Sequence, residues 1–340
     1  MEYFAFQWHI TDECDQRCEH CYIFSENNNI ALKSMLWNDI LHTWNEISDM
    51  CSQMGRLPYV YLTGGDPILH PYFWDLLSLF HKNDIPFTIM GNPFHLTKDN
   101  CQKMRELGCR KYQLSIDGLE QTHDSIRKKG SFQTTLEKIN VMHQASLPVA
   151  VMTTVSGTNI KEIPAIVDLV VEKKVEVFAF ARYCPTSLEK DVHISPSEYR
   201  NLLEILWQKF EQYKDCQTSF NLKDHLFTPF LYEKGYFKID ASLDKETIYD
   251  GCNCGANHIT ITPNGDVMAC RRCESVVGNI FTDSLYNIWN SGKMDFYRQY
   301  DKFEACKDCE LLRFCRGCPS VAYGMTHNFY AKDPQCWFKE

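Results

Sequence analysis

The residues best suited to chemistry in this 340-residue chain are three closely spaced cysteines near its start. Cys14, Cys18 and Cys21 lie in one loop, directly after the first predicted strand. In a chain without an export signal, such spacing favours a metal site over disulfides. Three thiolates are one fewer than a [4Fe–4S] cluster takes. The loop therefore predicts a cluster with one iron free to bind and activate a small molecule.

Structural zinc, or simply buried thiols, is the alternative for this loop. Zinc usually takes four protein ligands in pairs such as C-x2-C. Three cysteines of which two are separated by three residues fit that pattern poorly. The spacing therefore favours iron.

Alternating strands and helices must position the loop. The strand patterns fall at Tyr3–Ile10, Tyr59–Leu62, Phe87–Met90, Tyr112–Ile116, Val149–Thr154 and Val177–Ala181. Helical apolar spacing falls at Leu36–Met54, Tyr72–Lys82, Thr97–Leu107, Phe132–Gln144 and Ile160–Lys173, with Thr97 and Ser131 as expected caps. A further helix is expected from Ser195-Pro196 to about Tyr213. Strands joined by helices predict right-handed βαβ units and a parallel sheet, here a partial (β/α)6 TIM-type barrel.

Four unusual segments follow the first four strands. The cysteine loop follows the first, Gly64-Gly65-Asp66-Pro67 the second, Gly91-Asn92-Pro93 the third and Asp117-Gly118 the fourth. Functional loops of such barrels lie at the C-terminal ends of the strands. We therefore expect all four segments to meet at one rim.

Together these segments resemble the radical S-adenosylmethionine (SAM) enzymes. Cys14, Cys18 and Cys21 match the family's cluster ligands one for one, and His20 matches a position near the adenine. In the family, the open iron chelates the amino and carboxylate groups of SAM. An electron from the cluster then cleaves the sulfonium C–S bond and releases a 5′-deoxyadenosyl radical, which abstracts hydrogen from the substrate.

The resemblance extends to residues that would bind SAM. The Gly64-Gly65-Asp66-Pro67 segment resembles the family's Gly-Gly-Glu-Pro, with Asp66 in place of the usual Glu. Its backbone would accept hydrogen bonds from the methionine ammonium, because glycine lets a backbone approach closely. Ser115 and Asp117 match the segment that contacts the ribose and carboxylate of SAM, and Arg127 resembles a recurrent family element.

Nine further cysteines crowd the C-terminal region: Cys252, Cys254, Cys270, Cys273, Cys306, Cys309, Cys315, Cys318 and Cys336. With Gly265, their spacing resembles the SPASM domain, an extension that binds two auxiliary iron–sulfur clusters. The resemblance assigns Cys306, Cys309, Cys315 and Cys336 to the distal cluster. It assigns Cys254, Cys270 and Cys318 to the cluster nearer the barrel, although Cys318 comes one residue early.

The fourth ligand of the nearer cluster stays open between Cys252, Cys273 and a substrate-accessible iron. Two zinc knuckles are the alternative for this region, because C-x2-C pairs and thiolate tetrads also suit zinc. With the loop cluster, the expected cofactors are three [4Fe–4S] clusters and SAM.

Length and composition indicate the domain organisation of the chain and argue against several classes of partner. The expected organisation is a radical SAM barrel over 1–184, a helical bridge over 185–250 and the auxiliary-cluster domain over 251–340. The chain lacks a signal peptide and any window of ~20 apolar residues, which predicts a cytoplasmic protein without membrane contact. A net charge of −9 argues against nucleic-acid binding. The five scattered cysteines, including Cys184, are expected to be packing residues.

The resemblance implies an enzyme that modifies a ribosomally synthesised peptide, forming a thioether or another crosslink or oxidation. An external donor such as flavodoxin or ferredoxin would supply electrons. No separate peptide-recognition domain fits before Phe4, so a separate protein would recognise a leader if the bridge or the tail does not.

Two other functions stay open. The first is a formylglycine-forming sulfatase maturase, although Arg271 stands where that group has its catalytic Asp. The second is a noncatalytic iron–sulfur protein that transfers electrons or serves as a scaffold. No catalytic base is identified, and Arg182 and Cys184 at the end of the sixth strand are expected to pack or bind a carboxylate.

Overall fold

The structure is a computed structural model that describes residues 2–24, 31–185, 193–244 and 246–338. The strands are β1 (Tyr3–His9), β2 (Leu57–Thr63), β3 (Phe87–Met90), β4 (Cys109–Ser115), β5 (Val149–Val155), β6 (Val177–Arg182), β7 (Ser219–Asn221), β8 (His258–Ile261), β9 (Asp266–Met268) and β10 (Val276–Asn279). The helices are α1 (Trp37–Met54), α2 (Phe73–Lys82), α3 (Lys98–Glu106), α4 (Glu120–Ile126), α5 (Ser131–Gln144), α6 (Ile163–Glu172), α7 (Pro196–Gln212), α8 (Phe227–Glu233), α9 (Leu285–Trp289), α10 (Gly292–Asp295) and α11 (Pro319–Thr326).

All strands join one sheet in the order β10-β9-β8-β1-β2-β3-β4-β5-β6-β7. The six predicted strands β1 to β6 are confirmed as parallel neighbours. The sequence did not predict the extensions at both edges, where β7 pairs parallel to β6 and β8 pairs parallel to β1. Within the described part of the chain, β7 and β10 pair on one side only, so the barrel-like sheet is open.

Of the two helix caps predicted from the sequence, one is confirmed and one is wrong. Thr97 caps α3 by accepting from the Asn100 amide, as expected. Ser131 does not cap α5, contrary to expectation, because the helix starts at Ser131 itself after Gly130 in a left-handed conformation. The Asp124 carboxylate from α4 takes the capping role, since it accepts from the backbone amides of Gly130 and Phe132.

The outer face of β1 carries the core. Phe4, Phe6 and Trp8 are fully buried, while Ala5 and Gln7 between them are partly exposed. This alternation puts the large rings on one face of the strand, where Trp8 contacts Phe80 of α2. Each such burial contributes about 1.5–3 kcal/mol. In the residues that the structure describes, no helix combines the length and apolar character needed to cross a membrane.

The C-terminal hairpin docks on the start of the barrel. Trp289 of α9 meets Phe4 edge to face at 4.8 Å between ring centroids. The Leu285 amide donates to the Glu46 carboxylate of α1 at 2.7 Å. Gly265, at the tight turn between β8 and β9, has φ +82°, and a Cβ there would lie 2.4 Å from the Phe281 ring. Glycine is therefore required where the tail pattern has it.

A buried arginine joins the barrel to the tail. The Arg182 guanidinium, at the end of β6, donates to Asp224 at 2.8 Å, to both carboxylate oxygens of Asp333 at 2.7 and 2.8 Å, and to Gln335 at 2.8 Å. Burial alone would lower the pKa of Arg182, but Asp224 and Asp333 raise it well above its usual value. Arg182 therefore has a structural role, consistent with the carboxylate contact expected from the sequence.

Removing one carboxylate from this network is expected to be costly. Asp333→Ala leaves the buried Arg182 charge only partly compensated, so the free energy of unfolding should fall by about 3–5 kcal/mol. Asp295→Ala is the control, because its ion pair with Arg298 is exposed and such pairs contribute about 0–1 kcal/mol. Anaerobic denaturant unfolding measures both, and equal losses would contradict the proposed role of Arg182.

Candidate active site and cysteine clusters

The Gly-Gly segment after β2 packs directly on the cysteine loop. A Cβ on Gly64 would lie 2.2 Å from the Thr11 carbonyl oxygen, and one on Gly65 would lie 2.2 Å from that of Glu13. The bare backbones allow the Gly65 amide to donate to Thr11 at 2.8 Å and the Asp66 amide to donate to Glu13 at 2.7 Å. In this structure the glycines thus fix the approach of two rim loops to each other.

Adding one methyl group here is expected to displace the cysteine loop. Gly65→Ala forces the Glu13 backbone away, so we expect about 2–3 kcal/mol lower stability and reduced iron content after reconstitution. Gly292→Ala is the control, since a Cβ there meets nothing within 4 Å. Iron analysis and thermal unfolding of both variants test this, and full iron loading of Gly65→Ala would refute the packing argument.

Asp66 is a buried carboxylate without a partner. Its side chain is fully buried, and neither oxygen forms a hydrogen bond with any residue that the structure describes. The backbone amides of Ile68 and Asn92 lie beside the carboxylate and partly offset the effect of burial on its pKa. Burial, with the charge of Asp15, raises the pKa of Asp66 to about 7. An uncompensated buried carboxylate suits a cationic ligand group.

Asn92 connects the third rim segment to the cysteines. Its side-chain amide lies 3.2 Å from the Cys14 sulfur and donates to the Asp15 carboxylate at 2.6 Å. The buried Tyr112 hydroxyl holds the Asn92 carbonyl at 3.0 Å. The sequence placed Gly91-Asn92-Pro93 at the rim but gave Asn92 no role. A polar residue between glycine and proline directly after a buried strand was the available signal.

Asp117 anchors the other side of the rim. Arg127 donates to its carboxylate at 2.5 Å, the Thr154 amide donates at 2.7 Å, and the His20 ring lies 3.5 Å away. Burial alone would raise the pKa of Asp117, but Arg127 and His20 lower it below its usual range. Arg127 also lies 3.8 Å from the Cys18 sulfur. The expected residues Cys18, His20, Asp117 and Arg127 are thus brought together.

The other rim residues that the sequence predicted include Ser115 and Pro67, which flank the segments described above. Ser115 ends β4 opposite Met152 of β5, and Pro67 begins a short 3-10 turn directly after Asp66. The Cys21 amide donates to the Cys18 carbonyl at 3.1 Å, which closes the loop into a turn. Burial raises the pKa of Cys14 to about 11, so without metal this thiol is protonated.

Four tail cysteines form one group away from the barrel. The thiols of Cys306, Cys309, Cys315 and Cys336 neighbour one another, and the Cys309 amide donates to the Cys306 carbonyl at 2.9 Å. Burial, together with charge on Cys336 and Cys309, raises the pKa of Cys306 to about 12. These are the four residues that the sequence assigned to the distal cluster.

A second group lies against the barrel. It contains the other five tail cysteines and one barrel residue: Cys252, Cys254, Cys270, Cys273, Cys318 and Cys184. The Ser320 hydroxyl lies 3.1 Å from the Cys270 sulfur and 3.4 Å from the Cys273 sulfur. Arg272 donates to the Cys318 sulfur at 3.6 Å. The sequence reasoning gave no role to Cys184, Arg272 or Ser320 in this group.

The donor sets fit iron–sulfur clusters and SAM. Soft thiols in reduced form, grouped near the rim and in the tail, are the ligands that iron–sulfur clusters take. The unpartnered Asp66 carboxylate beside the cysteine loop fits the ammonium group of an amino acid. Bound there, SAM and its cluster would supply radical chemistry, while these residues would hold and orient them.

Known proteins share this arrangement. The chain matches the radical SAM superfamily over residues 8–170 and the SPASM iron–sulfur cluster-binding domain over residues 252–310. It is 25% identical over 341 residues to the AdoMet-dependent heme synthase of Methanosarcina barkeri, which covers 98% of this chain and 95% of that protein. It is 22% identical to the mycofactocin maturase MftC of Mycobacterium tuberculosis, over 97% of this chain and 81% of the maturase.

The fold is likewise shared. The crystal structure of Streptococcus suis SuiB bound to S-adenosylmethionine superposes with a TM-score of 0.77 at 18% identity, over 99% of this chain and 78% of that one. The radical SAM match accounts for the rim and the SPASM match for the cysteine-rich tail, and both belong to one shared fold. The chain belongs to the radical SAM enzymes with a C-terminal SPASM domain, and it binds iron–sulfur clusters and SAM.

Proposed function

We propose that this enzyme abstracts hydrogen from a ribosomally synthesised peptide and forms a thioether or another crosslink or oxidation in it. The observation that carries the proposal is the polar inner face of the sheet. Gln7, Tyr61 and Gln113 are partly exposed positions that alternate with buried ones on β1, β2 and β4. Amide and hydroxyl groups in rows suit the amides of a peptide, whereas a large apolar macrocycle needs apolar walls.

The strand register builds these rows. Gln7 is paired with Tyr61, and Tyr61 with Thr88 of β3. The Tyr59 hydroxyl bonds that of Thr88 at 2.8 Å, while the Gln7 amide reaches the Tyr22 hydroxyl at 3.4 Å. Several donors and acceptors are therefore presented side by side across neighbouring strands. An extended chain laid along this face could use them in turn.

The inner face also carries positive charge. Burial, together with Arg272, lowers the pKa of Lys223 to about 8, although this side chain is exposed. Lys223, two residues after β7, is also in electrostatic contact with Lys111 of β4. A peptide with a carboxylate near the reacting residue fits this wall better than a basic peptide, despite the net charge of −9.

Relatives support a peptide substrate. MftC is a maturase, and SuiB has been solved bound to its precursor peptide SuiA, in a structure that superposes over 99% of this chain with a TM-score of 0.75. The heme synthase match covers as much of the chain, so overall similarity does not separate the two substrate classes. The polar inner face supports the peptide.

The residue roles follow from the site. Cys14, Cys18 and Cys21 would hold the SAM-binding cluster, and Asp66 would accept a hydrogen bond from the SAM amino group. His20, Ser115, Asp117 and Arg127 would border the rest of SAM. The two tail groups would hold one auxiliary cluster each, which makes three clusters in all. An external donor such as flavodoxin or ferredoxin would supply electrons, and a separate protein would present the leader peptide.

The test is a substrate panel under reducing, anaerobic conditions with SAM. One arm uses a short Cys-containing precursor peptide encoded beside the gene, and others use a sulfatase-derived peptide and Fe-coproporphyrin III. We expect the precursor peptide to lose two hydrogen atoms per crosslink by mass spectrometry, with matching 5′-deoxyadenosine. Enzyme without SAM is the control. Conversion of the sulfatase peptide or the porphyrin alone would overturn the proposal.

A further inference from the structure

Cys184 lies directly after β6, outside the cysteine-rich tail, yet its thiol meets a tail thiol. It forms a side-chain hydrogen bond with Cys318, the cysteine that precedes α11. Its sulfur also lies 3.9 Å from the Arg182 carbonyl oxygen, so the end of β6 fixes its position. The buried Arg182 network described above holds that strand end against the tail. The contact between Cys184 and Cys318 therefore lies beside the Arg182 network that joins the two regions.

Arg272 shows that several thiols converge at this point. Its guanidinium donates to the Cys318 sulfur at 3.6 Å and to the Arg182 carbonyl at 3.4 Å. The thiols of Cys184, Cys318, Cys270 and Cys252 are in electrostatic contact with this guanidinium. One guanidinium close to four thiols places those thiols around a common centre. Convergent soft ligands of this kind are what an iron–sulfur cluster requires.

The two other thiols of the group are held differently. Cys254 bonds Cys252, two residues away along the same loop, and Cys252 is the member of this pair in electrostatic contact with Arg272. Cys273 bonds Cys270 and receives the Ser320 hydroxyl at 3.4 Å. Cys273 thus shares the Ser320 hydroxyl with Cys270 and is absent from the set around Arg272.

We propose that Cys184 is a ligand of the auxiliary cluster nearer the barrel, together with Cys270, Cys318 and one thiol of the Cys252–Cys254 pair. Each thiol gives up its proton to solvent as its sulfur binds iron. Cys273 then takes no part in coordination. This cluster would join the barrel to the tail through covalent ligands from both. This ligand assignment rests on the auxiliary clusters of the proposed function.

The position has a consequence for the reaction. Tyr183, the residue before Cys184, has its ring 6.4 Å from the His20 ring, measured between centroids. His20 lies in the loop of Cys14, Cys18 and Cys21. A cluster ligand at Cys184 would thus be separated from that loop by one aromatic contact. Substrate held between the two sites would lie beside both.

Differential alkylation of the reconstituted wild-type protein tests the assignment without any substitution. Iodoacetamide is applied anaerobically before and after iron is removed with a chelator under denaturing conditions, and each cysteine is scored by mass spectrometry. We expect Cys184 to be protected until iron is removed and Cys273 to be labelled beforehand. Labelling of Cys184 in protein that carries its full iron complement would overturn the proposal. A protein without auxiliary iron would instead contradict the cluster assignment above.

Substitutions give a second readout. Cys184→Ala should lower the iron content from about 12 to about 8 per chain, or leave a cluster with altered EPR g values, because one ligand is lost. Cys184→Ser, which keeps a smaller donor, should retain iron with a shifted EPR signal. Cys273→Ala and Cys216→Ala are the matched controls and should keep both iron and signal. Unchanged iron and EPR in Cys184→Ala, with loss in Cys273→Ala, would assign the ligand to Cys273.

Discussion

Replacing Cys14 with alanine is expected to abolish reductive cleavage of SAM. Two thiolates hold a [4Fe–4S] cluster poorly, so the variant should retain about 8 of about 12 irons after reconstitution. Formation of 5′-deoxyadenosine should fall by about 10³-fold or more, which corresponds to about 4 kcal/mol of barrier. The Asn92 amide and the Cys14 sulfur are 3.2 Å apart, so the substitution also removes a contact between two rim segments. Iron analysis and quantification of 5′-deoxyadenosine by liquid chromatography measure both effects.

The control is a cysteine outside all three groups. Cys216→Ala removes a partly exposed thiol that donates a weak hydrogen bond to the Thr218 carbonyl at 3.6 Å. It should keep full iron and normal SAM cleavage. If Cys14→Ala cleaved SAM at the wild-type rate, the loop would not hold the reactive cluster.

Replacing Asp66 with asparagine is expected to weaken SAM binding about 10–100-fold, since a hydrogen bond to a charged group contributes about 1.5–3 kcal/mol. The carboxylate must be ionised to act as a charged acceptor for the SAM amino group, and its pKa in the free protein is about 7. Wild-type affinity should therefore rise about tenfold from pH 6 to pH 8, because the ionised fraction rises by about that factor. Asp66→Asn should lose this dependence. Equilibrium binding of SAM across this pH range measures both.

The same carboxylate affects stability with the opposite sign. Its folded-state pKa of about 7 exceeds the usual 3.8, so the folded protein holds an extra proton between these values. Stability without SAM should then fall as pH rises from about 4 to about 7, and Asp66→Asn should remove that part of the fall. Asp168→Asn, which alters an exposed carboxylate bonded to Lys209, is the control. Unchanged SAM affinity in Asp66→Asn would show that the amino group binds elsewhere.

The barrel could be predicted from sequence because its signals are local. Apolar spacing in α6, for example, follows the helical period at Ile163, Ile166, Val167 and Val170, all of which are buried. Loops after parallel strands meet at one edge, so the rim followed from strand order alone. The extra strands could not be found this way. Strand β7 has only three residues, and β8 to β10 join the barrel through pairing with β1, which no local pattern encodes.

The group of thiols that lies against the barrel shows the same limit of prediction from local sequence. Spacing groups cysteines that are near in sequence, and Cys184 lies 68 residues before Cys252 along the chain. Its place beside Cys318 depends on Arg182, whose carboxylate partners Asp224 and Asp333 come from the bridge and the tail. Long-range ion pairs of this kind leave no spacing signature. The prediction that Ser131 caps α5 was wrong for a related reason, because Asp124 of the preceding helix accepts from the amides at the start of α5.

EPR of the reduced, reconstituted protein with and without SAM tests the central claim most directly, namely that the rim cysteines and Asp66 form a SAM site. With three clusters present, we expect SAM to change the g values of one signal and to leave the auxiliary signals unchanged. 5′-Deoxyadenosine should form in the same sample, and the SAM-induced change should be absent from Cys14→Ala. Spectra that are identical with and without SAM, in protein that carries full iron, would contradict the account.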